Sequence, residues 1–267
     1  MGWFRGVTLP WIYGACLAAV LGIAASGPAA AASPPTDRYL AALDRARELT
    51  AQNKFEPALR RLLWYWRATR YEPTKRGQRD SLAVSQWVDL AGKYPKAKVA
   101  LLKIRDDAGQ LIDTNGGFLD IFADFEAINA ALDETDRTYA EFKNVESRYP
   151  TKAVQYFRMA ETALLAKKDY ATCRRYIGDP ADELSDLAKT RQREIALADR
   201  PESAAQKDDR LGTADRNFED HARQLVLVLV GTGERDKAAA VAAQALTVLD
   251  TPKLRAAVED AAAETAR

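Results

Sequence analysis

The clearest chemical opportunity in the sequence is Trp64, flanked along its helix by Arg60 and Arg67. Leu59, Leu62, Leu63 and Trp66 mark the opposite face as the one turned to a core, which leaves Trp64 among charges. An aromatic ring beside two guanidinium groups can anchor a partner or carry a cation over its face. Arg60, Trp64 and Arg67 are therefore the candidate partner contacts. Packing against a neighbouring hairpin or the N-terminal segment is the plainer role for the ring. A wider aromatic surface of Trp64, Tyr65 and Trp87 would suit a sugar or small molecule, or an enzyme that binds one.

Catalytic and metal-binding groups are scarce. His221 is the only histidine, and the cysteines are Cys16 and Cys173. A zinc site or a histidine-based triad lacks the necessary ligands, and His221 reads as a surface or capping residue. Cys173 occupies a position where a small residue packs, although Arg174 and Arg175 beside it could lower its pKa. The run Asp113–Gly117 (DTNGG), with Asp120 and Asp124 downstream, has the opening of a calcium loop. Its sixth position is Phe118 instead of glycine and its twelfth Asp124 instead of glutamate, so an inter-helix loop is the better account. Gly231-Thr-Gly233 lacks the Lys-Ser/Thr ending of a phosphate loop and reads as a turn. Asp106, Asp107 and the acidic run 133–136 look like solvated faces and turns. The expectation is of no catalytic residues, no cofactor and no metal.

The elements that must position these residues are helical hairpins. NKFEPA (53–58) ends one helix and begins another, and the pattern recurs as GKYPKA (92–97), KDYATC (168–173) and GERDKA (233–238). The first slot can take φ > 0 and close a helix at little steric cost. The aromatic can plug the open end of the hairpin. The small residue (Ala58, Ala97, Cys173, Ala238) lets the arms approach. Pro57 and Pro95 sit in a first helical turn, where a missing N–H costs nothing.

Composition agrees. Charged residues make up 29% of 267 and the hydrophobic set 47%, a globular balance. Lys+Arg at 39 against Asp+Glu at 38 gives no basic bias toward nucleic acid. Residues 1–32 have the form of a signal peptide: Arg5 as the only charge, an apolar run from Trp11 to Ala25, and Ala30-Ala31-Ala32 as a cleavage site. The run of about 15 residues is short for a membrane span, which needs about 20, so no stable span is expected after cleavage. Cys16 falls inside that run and reads as a signal-core residue. The mature chain then holds one cysteine and no internal disulfide, and the protein is expected to be periplasmic or secreted.

In chain order, Asp37 can cap a first helix carrying Leu40, Leu43, Ala46 and Leu49. After Tyr71-Glu72-Pro73 a polar connection runs to Asp80. The second hairpin pairs Leu82, Trp87 and Leu90 with Val99, Leu102 and Ile104. The third runs from Phe118 to about Arg148, with a degenerate turn at Asp133-Glu134, placed by the spacing of 39 from Asn53 to Gly92 and 76 from Gly92 to Lys168. The fourth has arms at about 152–166 and 170–177. An extra helix fills 181–198, and 199–213 reads as a charged, mobile stretch. QLVLVLV (224–230) reads as buried helix, and a capping helix starts at Thr251-Pro252.

GTGERDKAAAVAAQALTVLDTP (231–252) resembles the second half of a tetratricopeptide repeat, with Gly233, Ala238, Ala245-Leu246 and Pro252 in the family's slots. The spacing of 38 to 39 exceeds the family's period of about 34. The whole mature chain is similar to a group of exported bacterial proteins with long tetratricopeptide-like hairpins. The resemblance implies an all-α solenoid of about five hairpins and a non-catalytic scaffold binding a protein or peptide in its concave face; it implies no activity.

Overall fold

Abundant alanine and few β-branched runs favour helix, and helix is what forms. The computed structural model describes residues 37–198 and 204–265, and no strand occurs among the described residues. The signal peptide read at 1–32, Cys16, the linker before Asp37 and residues 199–203 of the stretch expected to be mobile lie outside them.

Helices α1 (Arg38–Ala51) and α2 (Phe55–Ala68) form the first hairpin. A 3₁₀ turn (Pro73–Lys75), α3 (Arg76–Gln78) and a π-helical turn (Arg79–Ala83) lead into α4 (Val84–Lys93). Then come α5 (Pro95–Asn115), α6 (Leu119–Ala131), α7 (Thr135–Arg148), α8 (Pro150–Ala166) and α9 (Tyr170–Tyr176). The chain closes with α10 (Pro180–Ala198), α11 (Ala204–Gly231), α12 (Arg235–Val248) and α13 (Pro252–Thr265). Each helix packs chiefly on those one or two places along the chain: α6, for instance, on α4, α5, α7 and α8. This near-neighbour order makes a solenoid-like stack. Helix α9 contacts α11 directly, so α10 is an insertion that lies on α11 and α12.

Four hairpins close on one backbone device. Asn53, Asp133, Lys168 and Gly233 take φ of 58°, 57°, 56° and 78°. At each, the next residue's N–H bonds the carbonyl five residues back: Lys54 to Leu49, Glu134 to Asn129, Asp169 to Leu164 and Glu234 to Leu229. This is the Schellman arrangement, which satisfies carbonyls left over at a helix end. Five residues beyond each left-handed residue stands a small buried one, Ala58, Thr138, Cys173 or Ala238, where the second arm meets the first. The third turn is therefore regular, although its residues do not spell the pattern. The second is the exception: Gly92 stays helical, and Tyr94 (φ −138°, ψ 101°) turns the chain into Pro95. The aromatics do plug the hairpin ends. Phe55 stacks on Tyr94 at 5.9 Å, and the Tyr170 ring lies so close over Gly231 that a Cβ there would fall 2.1 Å from it.

Several faces differ from the periodic reading. Leu40 is exposed, and Tyr39 and Ala42 join Leu43, Ala46 and Leu49 in the core. On α5 the buried stripe is Ala97, Leu101, Arg105, Ala108 and Ile112, which leaves Val99 68% exposed. The connection from Thr74 to Asp80 is helical, and so is 204–213, which opens α11. Asp113 lies within α5, and only Gly116 and Gly117 of the expected loop leave the helix, both at positive φ.

Helix α6 is buried nearly all round and contributes to both hydrophobic clusters, Ile128 to the N-terminal one and Phe122 and Phe125 to the C-terminal one. It also carries a buried charge. Asp124 accepts from Arg79 Nε (2.8 Å) and Nη2 (2.7 Å) and from Arg76 Nη1 (2.7 Å). Arg79 Nη1 donates to the Trp66 carbonyl and to Thr69 Oγ1, and its guanidinium lies 3.6 Å from the Trp66 ring centre. The π turn starts at Arg79, and inserted turns of this kind bend a helix's side-chain register.

Two measurements check this packing. Gly231→Ala should lower unfolding stability by about 1–3 kcal/mol through overpacking, and adding Tyr170→Ala should recover part of it; equal stability of Gly231→Ala and the wild type would show that Tyr170 does not hold that position. Asp124→Ala should cost about 3–5 kcal/mol in denaturant unfolding, because it leaves Arg79 buried without its partner. A loss below about 1 kcal/mol, the range of surface pairs, would mean the network is not needed.

Candidate functional site

Helices α1, α4 and α6, the first arms of successive hairpins, line two adjoining hollows that share Asp89. The first, about 340 Å³, lies between α1 and α4, with Ala46 and Leu62 as apolar wall and Arg47, Gln86, Asp89 and Lys93 as polar groups. The second, about 460 Å³, lies between α4 and α6. Its floor is apolar (Val84, Val88, Ala127, Ala130, Ala131), and Asp80, Ser81, Ser85, Asp89 and Glu126 supply its polar groups.

The sequence sets this wall locally. The π turn delivers Asp80 beside Arg76 (3.1 Å), whose Nη1 also donates to Asp124, the partner of Arg79. Small residues on α6 (Ala127, Ala130, Ala131) leave room above the helix. Burial, and secondarily the charge of Asp80, pushes the Glu126 carboxyl up to about 7. Burial also raises Asp80, with Arg76 pulling it back. Gln86 Oε1 is shielded from solvent and has no hydrogen-bond donor.

The sequence-predicted residues meet elsewhere. Arg60, Trp64 and Arg67 come together with Leu63 and Ala68 around a shallow hollow of about 500 Å³ on α2. Trp64 is 41% exposed and stacks on Tyr39 at 6.1 Å. Tyr65 and Trp87 do not join it: both are fully buried, and Trp87 Nε1 donates to the Ala97 carbonyl at 3.0 Å. Hence the three-ring surface reduces to Trp64.

Cys173 is sealed in its packing slot, and burial, then Glu161 and Asp169, pushes its thiol up to about 12. The arginines that could have activated it are engaged elsewhere, Arg174 with Glu234 and Arg175 with Glu146. His221 is exposed, with Nδ1 2.7 Å from the Asn217 carbonyl. The calcium-loop residues disperse: Asn115 Oδ1 accepts from Gly117 N (2.9 Å), and Asp124 faces Arg79. Among the described residues no group of three His, Cys, Asp or Glu side chains is placed to share a metal, and no helix is long and apolar enough to cross a membrane.

The sequence reading missed Asp80, Asp89 and Glu126. Their only signal was Glu126 itself, a carboxylate in the most apolar helix. Comparison with protein-family models, with curated proteins and with solved structures finds no match to this chain.

The Glu126 carboxyl has a consequence for stability. Its folded pKa lies above the unfolded value, so the folded state holds the extra proton and stability falls as pH rises from about 4.5 to about 7. Given its partial exposure, the loss should be on the order of 1–2 kcal/mol. Glu126→Gln should remove that slope, measured as the difference between the two proteins' urea midpoints across the interval. Parallel pH profiles would overturn the assignment.

Proposed function

We propose that this protein is a non-catalytic scaffold of the bacterial cell envelope that binds a protein or peptide segment along the groove over α1, α4 and α6. The observation that carries the reading is that the two hollows adjoin at Asp89: side chains from three successive hairpins line a row of hollows with apolar walls and polar margins. Such a row suits an extended or helical segment, whose apolar side chains would fill the hollows while its backbone meets polar groups such as Gln86. Near-neighbour packing supports the reading, because stacked repeats build extended surfaces instead of one deep cavity. The location rests on the N-terminal sequence. The sugar- or small-molecule reading keeps a single exposed ring, Trp64.

Affinity capture from cross-linked envelope extract tests the proposal, with wild-type chain beside Ala130→Trp, which fills the groove from an exposed helical position, and Trp64→Ala. One reproducible protein should be retained by the wild type and by Trp64→Ala, and be lost to Ala130→Trp. Retention by all three, or capture of no protein, counts against the groove.

A further inference from the structure

The chain's charges balance overall, yet those of α2 do not. Many arginines elsewhere are engaged by carboxylates: Arg105 by Glu134, Arg158 by Glu161, Arg174 by Glu234, Arg191 by Asp215 and Arg255 by Asp250. On α2 the exposed Arg60, Arg61 and Arg67 have no acidic partner among the described residues. The helix's one carboxylate, Glu56, accepts from Tyr94 Oη at 2.5 Å. Between Arg60 and Arg67 stands Trp64, whose ring is propped on Tyr39, itself only 8% exposed.

We propose that this α2 face is a second docking surface, separate from the groove, and that its occupant is an acidic segment of a partner protein carrying two carboxylates on either side of an apolar side chain. The spacing fits. Arg60 and Arg67 lie seven residues apart, two helical turns or about 10 Å along the axis. Side chains alternate along an extended segment, so carboxylates four residues apart share a face and span about 13 Å at about 3.3 Å per residue, within reach of two long arginine side chains, while the side chain midway between them, on the same face, would meet Trp64. Guanidinium groups pair with carboxylates through two parallel hydrogen bonds. Because the ring is already held by Tyr39, little rotamer freedom is lost on contact. A lipid surface fits less well, since Trp64 is the only large hydrophobic side chain exposed on α2 and interfacial helices need a broad apolar face.

The test is fluorescence anisotropy at low salt with the full chain and a labelled short peptide centred on Glu-Ser-Phe-Ser-Glu, beside its Gln-Ser-Phe-Ser-Gln counterpart. The glutamate peptide should bind about ten-fold more tightly or better, two charge-assisted contacts being worth at least that factor. Arg60→Gln/Arg67→Gln and Trp64→Ala should each weaken it about five-fold or more, with unchanged circular dichroism, and Ala130→Trp should leave it unaltered. Equal affinity for both peptides, no binding of either, or an effect of Ala130→Trp equal to that of Trp64→Ala would overturn the proposal. So would binding of anionic phosphatidylglycerol vesicles or heparin that is lost in Arg60→Gln/Arg67→Gln, while the peptide does not bind.

Discussion

Two helices can share a hairpin only if the chain reverses within a few residues and the arms then come within contact distance, and most of this structure follows from how that is achieved. At four of the hairpins the reversal uses a residue at positive φ, which costs an ordinary L-residue about 1–2 kcal/mol. Here that cost falls on Asn53, Asp133 and Lys168 as well as on Gly233. The close approach is made by a side chain no larger than threonine or cysteine five residues on, each shielded from solvent. Once both conditions are met, the arms' apolar stripes face each other and the next hairpin can stack on the pair.

Charge has a different part. The ion pair of Arg79 with Asp124 is buried where the two hydrophobic clusters meet through α6. A buried pair gains little net stability over an apolar replacement, but it fixes which groups face each other. Here it joins the π turn to α6 and thereby sets the register of α4 against that helix. The same turn carries Asp80, held by Arg76, to the groove lining it shares with Glu126. The arginines of α2 and the carboxylates Asp80, Asp89 and Glu126 of the groove then give the N-terminal hairpins surfaces of opposite charge.

Much of this was legible in the sequence. Alanine content, the 3.6-residue stripes and the small slots at 58, 97, 173 and 238 determined an all-α, hairpin-built chain, because those signals are local and each element's apolar face must be buried somewhere. The elements of the third and fourth hairpins, the insertion and the final helix fall where spacing and proline placed them. The exposure of Trp64 between Arg60 and Arg67 was also readable, since one helix suffices to define it. Other features depended on the neighbours. Tyr65 and Trp87 became core because α1 and α5 cover them, Val99 was left outside because α5 turned a different stripe inward, and Asp133 took the left-handed turn without glycine or asparagine. The groove belongs wholly to this second class: Asp80 on the π turn and Asp89 on α4 lie about forty residues before Glu126 on α6, and only the stacking of one hairpin on the next sets them around one hollow and dries Glu126 enough to move its proton. A sequence specifies what each segment can bury; which surfaces remain, and which charges they share, is decided when the segments pack.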